Sequence, residues 1–182
     1  MPVQTDQQIL EDFRQSATRE PAFTQLVYKY QERIYWHIRR MVVNHDDAND
    51  VLQNVFIKVW KHLEGFRADA NLYTWLYRIA TNETLTFLEQ EKKRRAVSFN
   101  EVETGLSNRL IADKQFDPAK AEWKLQLAIQ KLPEKQRLVF NLRYYDEMPY
   151  EQMSQVLDTS EGALKASYHH AVKKIEQYLQ AH

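Results

Sequence analysis

The sequence predicts an all-α fold: two small helical domains joined by a flexible linker, the C-terminal one a helix-turn-helix. Three observations predict it. Chain breakers are scarce, 3 Gly and 5 Pro in 182 residues, too few for the turns of an all-β fold. Between them apolar residues recur at spacings of three and four, the period of a helix with one buried face. That period lapses over residues 96–121, where Ser, Asn, Asp, Gly and Pro accumulate, the composition of a loop. The expected boundaries are a first domain over 1–95, a linker over 96–121 and a second domain over 122–182.

Bulk composition narrows the function. Hydrophobic residues make up 43% and charged residues 27%, the balance of a globular chain. Lys+Arg and Asp+Glu total 25 each, so any basic surface is local. With no Cys there is neither a disulfide framework nor thiolate chemistry. No apolar run approaches the roughly 18 residues that cross a bilayer. The start, MPVQTDQQILEDF, lacks the basic-then-apolar order of a signal peptide, and the expected location is the cytoplasm.

Taken in order, residues 21–43 place Phe23, Val27, Tyr30, Ile34, Ile38 and Met41 on one stripe, with Pro21 suited to a first helical turn because its missing N–H has no partner there. Residues 46–64 carry Val51, Leu52, Val55, Phe56, Val59 and Trp60; Asn44 is the expected cap, Asp46 and Asp47 suit the positive helix end, and Gly65 suits a stop. Residues 71–90 carry Leu72, Trp75, Leu76, Ile79, Ala80, Phe87 and Leu88. Beyond the linker, Leu125, Ile129 and Leu132 form a stripe that stops at Pro133, and Leu138, Val139, Leu142 and Tyr145 form the next. A short helix follows Met148-Pro149 with Tyr150, Met153, Val156 and Leu157. The turn Asp158-Thr159-Ser160 then leads into a longer helix bearing Leu164, Tyr168, Ala171, Ile175 and Leu179.

Three constellations could carry function. A short helix, a three-residue polar turn and a longer helix are the parts of a helix-turn-helix, or of a plain helical hairpin. Ser160 is the expected cap of the second helix, whose outward side holds Ser160, Glu161, Lys165, Ala166, His169 and Lys173. Lys can contact guanine or phosphate in a major groove and Glu can accept from cytosine. The second constellation is Glu91-Lys92-Lys93-Arg94-Arg95. Its cations can neutralise phosphates beside aromatics that stack on unpaired bases, or can simply favour the negative end of a helix. The third, Asp46, Asp47, Asp50, Gln53 and Asn54, suits first-turn capping and a polar ridge for a partner. As a metal or acid-base site, the i, i+4 pair Asp46 and Asp50 is followed by no matching His or further carboxylate at ligand spacing. The six His include no i, i+4 pair, and GxxxxGK[ST], GxGxxG and GxSxG are absent, so neither zinc, nor any other cofactor, nor a small-molecule substrate is expected.

The blocks DANDVLQNVFIKVWKHLEGF, NLYTWLYRIATNETLTFLEQEKKRR and LPEKQRLVFNLRYYDEMPYEQMSQVLDTSEGALKASYHHAVKKI, in that order, resemble a bacterial RNA polymerase sigma factor of the extracytoplasmic-function group of the sigma-70 family. The resemblance spans about residues 10–180. It implies that Asp50, Gln53 and Asn54 meet the polymerase clamp. It implies that Arg67, Asn71, Trp75, Arg78 and Asn82, with Lys92, Lys93, Arg94 and Arg95 upstream, meet the minus-ten element, the 66–71 loop holding a flipped base. Ser160, Glu161, Lys165, Ala166, His169, His170 and Lys173 are then the minus-thirty-five reader. The implied partners are core RNA polymerase, promoter DNA and an anti-sigma factor, with no catalysis by the chain itself. Four positions depart from the family pattern: Asn54 and Thr86 stand where an acidic residue is common, and Ser167 and His170 where Arg is usual. The alternative reading is a stand-alone helix-turn-helix regulator with an N-terminal sensing or dimerisation domain, which would bind duplex operator unaided.

Overall fold

The computed structural model describes residues 2–67, 70–97 and 121–182. The helices among them are α1 (Asp6–Arg14), α2 (Arg19–Val42), α3 (His45–His62) with a 3-10 turn at Leu63–Gly65, α4 (Leu72–Val97), α5 (Ala121–Gln130), α6 (Glu134–Tyr144), α7 (Tyr150–Leu157) and α8 (Glu161–Ala181). Most of the expected linker, residues 98–120, lies outside the described residues.

The caps explain the boundaries. Asn44 Oδ1 accepts from the Asp47 N–H at 3.1 Å and Ser160 Oγ from the Ala163 N–H at 3.2 Å. Each is an N-cap bond, and replacing such a residue by Ala costs about 1 kcal/mol. Helix α1 was not among the sequence expectations. It begins on a capping box in which Thr5 and Gln8 bond each other's backbone N–H, and it buries Ile9, Leu10 and Phe13. The box and the apolar spacing were both present in the sequence and together mark a helix start. Helix α4 runs seven residues past the expected 90, to Val97, so Lys92–Arg95 stand in its last turns.

Helices α1–α4 form one lobe around Leu26, Ile34, Ile38, Val55, Val59, Leu76 and Ala80, all with no solvent-exposed surface. Truncating such a Leu or Ile to Ala costs about 2–5 kcal/mol. Trp60, expected on the buried stripe, is 38% exposed. Its ring leans edge-on against Phe13 and Phe23 at 5.4 and 5.0 Å between centroids, because the α3 stripe that faces the core is Val51, Val55 and Val59. Leu179, expected on the buried face of the last helix, is also exposed; it lies in the final turn of α8, beyond Ile175. Helices α5–α8 form the second lobe, with α5, α6 and α7 each packed on α8 around Ile129, Phe140, Ala171 and Ile175.

The lobes are packed against each other, α7 on α4 and α6 on α2. Leu138, Leu142, Met148, Met153 and Val156 of the second lobe belong to the same buried cluster as Leu76, Tyr77 and Ala80 of the first. Polar contacts cross the seam. Tyr77 Oη donates to Asp146 Oδ1 at 3.0 Å, and Arg40 Nη1 lies 3.6 Å from the same oxygen. Gln130 Nε2 donates to the Arg40 carbonyl at 3.2 Å, and Lys92 Nζ to Glu134 at 2.7 Å. Val43, between α2 and α3, has φ 68° and centres a γ-turn in which the Asn44 N–H donates to the Val42 carbonyl at 2.8 Å. That is a costly posture for a β-branched residue, and it sets Val43 against Trp123 of α5.

Candidate polymerase and nucleic-acid interfaces

Three surfaces carry the residues singled out in the sequence. On α3, Asp50 and Gln53 are exposed and line an open groove of about 600 Å3 with Gln31, Phe56, Ile57 and Trp60. Spacings of three and four put 50, 53, 57 and 60 on one face. Asn54 is exposed but is not among the groove's lining residues. Ile57 was missed; it is 48% exposed and shares the groove with Leu52, Phe56 and Trp60, so the apolar surface there is contiguous rather than a single scattered side chain. The signal available in the sequence was its spacing from Gln53 and Trp60.

The second surface follows α4. Asn71 caps the helix, its Oδ1 accepting from the Tyr73 N–H at 2.9 Å. Asn71, Trp75, Arg78 and Asn82 succeed one another at four, three and four, along one stripe. Arg67, Asn71, Arg78 and Asn82 are exposed. Trp75 is half-buried, its ring 5.1 Å from that of buried Phe66, so it is packed as well as accessible. A cavity of about 650 Å3 opens between α1 and the approach to α4, lined by Glu11, Arg14, Phe66 and Asn71 among others. The α1 residues there were not anticipated. The four cations at the far end of α4 do not act alike. Lys93 lies eleven residues, three turns, beyond Asn82 and so shares its face, pairing with Glu89 at 3.5 Å. Arg94 and Arg95 approach Glu91 at 3.3 and 3.8 Å. Lys92 turns to the second lobe and Glu134.

The third surface is α8. Ser160, Glu161, Lys165, Ala166, His169, His170 and Lys173 are all exposed, while Leu164, Ala171 and Ile175 are buried. The outward set spreads over half a turn, since nine residues at 100° each separate Glu161 from His170. His169, Ala166 and Lys173 face directly away from the core, with Glu161 and Lys165 on one flank and His170 on the other. Lys165 Nζ stands 5.6 Å above the Tyr150 ring of α7, which orients it along the outer edge of the turn. Asp158, in the left-handed region at φ 50°, ends α7 and lets the chain reverse.

Comparison with known proteins fits this arrangement. Residues 26–94 match the family description "Sigma-70 region 2" and residues 122–175 match "Sigma-70, region 4". RNA polymerase sigma-H factor of Pseudomonas aeruginosa is 32% identical over 96% of this chain and 94% of its own length. ECF RNA polymerase sigma-E factor of Escherichia coli K12 is 30% identical over 97% and 95%. The chain is an extracytoplasmic-function sigma factor of the sigma-70 family. Sigma factors partner with core RNA polymerase and promoter DNA and direct promoter recognition and transcription initiation. Two solved structures share the fold of this sigma factor. CnrH, in complex with the cytosolic domain of CnrY, aligns with a TM-score of 0.71 at 21% identity over 97% of both chains. The sigma factor RpoE of Bartonella quintana, in complex with the anti-sigma factor NepR, aligns at 0.66 and 20% over 87% of this chain and 96% of that one. No described helix of this sigma factor is long and apolar enough to cross a membrane.

Proposed function

We propose a division of labour among the three surfaces. The α3 groove, with Asp50 and Gln53 at its rim and Phe56, Ile57 and Trp60 in its wall, docks on core RNA polymerase, and Asn54 borders it. The stripe Asn71, Trp75, Arg78 and Asn82, with Arg67 before it, engages the minus-ten element. Trp75 offers a stacking edge to an unpaired base, and the cavity between α1 and α4 offers room for one turned out of the stack. Lys93, Arg94 and Arg95 meet upstream phosphates, joined by Lys92 once it leaves Glu134. The exposed face of α8 enters the major groove of the minus-thirty-five element. The first lobe is then the polymerase and minus-ten domain, and the second the minus-thirty-five domain. The chain works in the cytoplasm without catalysis of its own. The solved relatives in complex with CnrY and with the anti-sigma factor NepR support an anti-sigma partner here too.

The observation that carries this reading is the order of the two sigma-70 regions along the chain combined with a wholly exposed outer face on α8. Run-off transcription with purified core polymerase on a promoter library tests it. The chain should direct initiation from a subset of promoters. Lys165→Ala should lower run-off several-fold on templates that depend on a minus-thirty-five element and spare templates that lack one. Equal loss on both contradicts the groove role of α8.

A further inference from the structure

The first exposed cation of α8 does not take the partner that its own helix offers. Glu161 stands four residues before Lys165, the favourable order and spacing for a helical ion pair. Among the described residues the Lys165 ammonium instead stands 5.6 Å from the centroid of the Tyr150 ring of α7, and no ion pair joins it to Glu161. A cation over a tyrosine ring is worth at least as much as an exposed ion pair. Glu161 keeps its carboxylate in the first turn of α8, where the positive end of the helix favours it. Donor and acceptor are therefore held apart at the front of the helix.

The ring is itself fixed. Tyr150 opens α7 and is half-buried against the core, as is Tyr168 of α8. Arg143 of α6 lies over the same ring, its guanidinium carbon 4.7 Å from the centroid, and its Nη1 donates to the Met148 carbonyl at 3.1 Å. That bond pins the turn between α6 and α7. The turn reverses at Glu147, whose φ is 50°, and closes with the Met148 N–H donating to the Leu142 carbonyl at 3.1 Å. Three helices thus meet at one ring: α6 holds it through Arg143, α7 carries it, and α8 rests its lysine on it. A free lysine side chain samples many rotamers, and fixing it beforehand spares that ordering cost on the duplex. In the sequence Tyr150 reads only as a member of an apolar stripe, and Arg143 does not stand out.

We propose that Tyr150 is a positioning residue for minus-thirty-five recognition: its ring, fixed by Arg143, holds Lys165 away from Glu161 and presents both to the duplex. The proposal rests on the groove role of α8 given above. Its test follows one quantity, the loss that Lys165→Ala causes in run-off by holoenzyme, full chain plus core polymerase, on a minus-thirty-five-dependent template. In the unsubstituted chain the loss should be several-fold. Tyr150→Phe keeps the ring and should keep the loss. Tyr150→Leu lets Lys165 fall onto Glu161, and there Lys165→Ala should cost no more than about twofold. Adding Glu161→Gln to Tyr150→Leu frees the ammonium and should raise the loss again, a recovery that a packing defect does not produce. Failure of that recovery overturns the proposal, because Glu161 is then not the competitor. A loss in Tyr150→Leu as large as in the unsubstituted chain also overturns it and leaves the groove reading intact. So does a loss in Tyr150→Phe as small as in Tyr150→Leu, since the hydroxyl rather than the ring then acts. No effect of Lys165→Ala in the unsubstituted chain overturns the groove reading, and the positioning role with it. If Tyr150→Leu loses helicity, trifluorophenylalanine in place of Tyr150 keeps the shape of Phe while emptying the ring face of negative charge. A small loss on that ring supports the role, and a loss equal to that in Tyr150→Phe overturns it.

Discussion

His37 and Asp146 pull the acid response of this protein in opposite directions. Burial, with Arg40 adding to it, pushes the pKa of His37 down to about 3 from 6.5. Burial pushes Asp146 up to about 6 from 3.8, against the opposing pull of Arg40, the Tyr77 hydroxyl and Arg33. The folded chain resists protonating His37, so that residue contributes stability that is complete above pH 6.5 and is lost as the pH falls toward 3. The folded chain takes up a proton at Asp146 more readily than the unfolded chain does, so that residue gains as the pH falls from 6 to 3.8. Between pH 6 and 4 the two nearly cancel. Asp146→Asn removes one side of the balance. The variant should lose about 1 kcal/mol per pH unit over that range relative to the unsubstituted chain, read from thermal melts at pH 6, 5 and 4. Parallel pH profiles for the two chains would show that Asp146 ionises like an ordinary surface carboxylate. Neither group stood out in the sequence, where His37 was one of six unpaired histidines and Asp146 one acid in a loop. Their partners lie 44 and 69 residues away, beyond the reach of any periodic pattern.

Among the helices, α3 offers the sharpest test, because Asp50 and Gln53 are exposed on a helix whose core face is Val51, Val55 and Val59. Replacing both by Ala removes no buried contact and slightly favours the helix. Helicity should stay unchanged while affinity for core polymerase falls about thirtyfold, the effect of losing one interface hot spot of about 2 kcal/mol. Unchanged affinity in a pull-down or anisotropy titration would move the docking surface off this groove. Helices α2, α3, α5, α6, α7 and α8 and most of α4 were legible because each carries an apolar period, and at α3 and α8 a capping Asn or Ser also marks the start. The caps at Asn44 and Ser160 form as expected. Helix α1 carried its signal in the Thr5–Gln8 box and went unread. The last turns of α4 lie beyond the expected end at 90 because a run of charges has no apolar period, yet Lys, Arg and Glu are good helix formers and pair along the helix at i, i+3 and i, i+4. The outward set on α8 was read from the sequence as one surface, but only geometry shows it divided between a centre and two flanks.

For the whole molecule, the sequence suggested two lobes on a tether, and the structure adds that they share a buried cluster. In small-angle scattering the free chain should have a radius of gyration near the roughly 16 Å of a single compact domain of this length. A value approaching twice that would mean the lobes stand apart in solution. The seam was illegible from sequence because its apolar members, such as Leu76 and Met153, serve equally well as the private core of either lobe. Only their placement shows that they are shared.

The pairing of Lys92 with Glu134 also ties posture to ionic atmosphere. While the ammonium is matched by a carboxylate, it condenses no phosphate and displaces no sodium or potassium from the duplex. If Lys92 meets upstream phosphate as proposed, its release from Glu134 adds one charge to that contact, and each such charge steepens the fall of log affinity with log salt by about 0.9. The slope of a salt titration on duplex is thus a count of ammonium and guanidinium groups in play, and it would register the change in shape without any label on the protein.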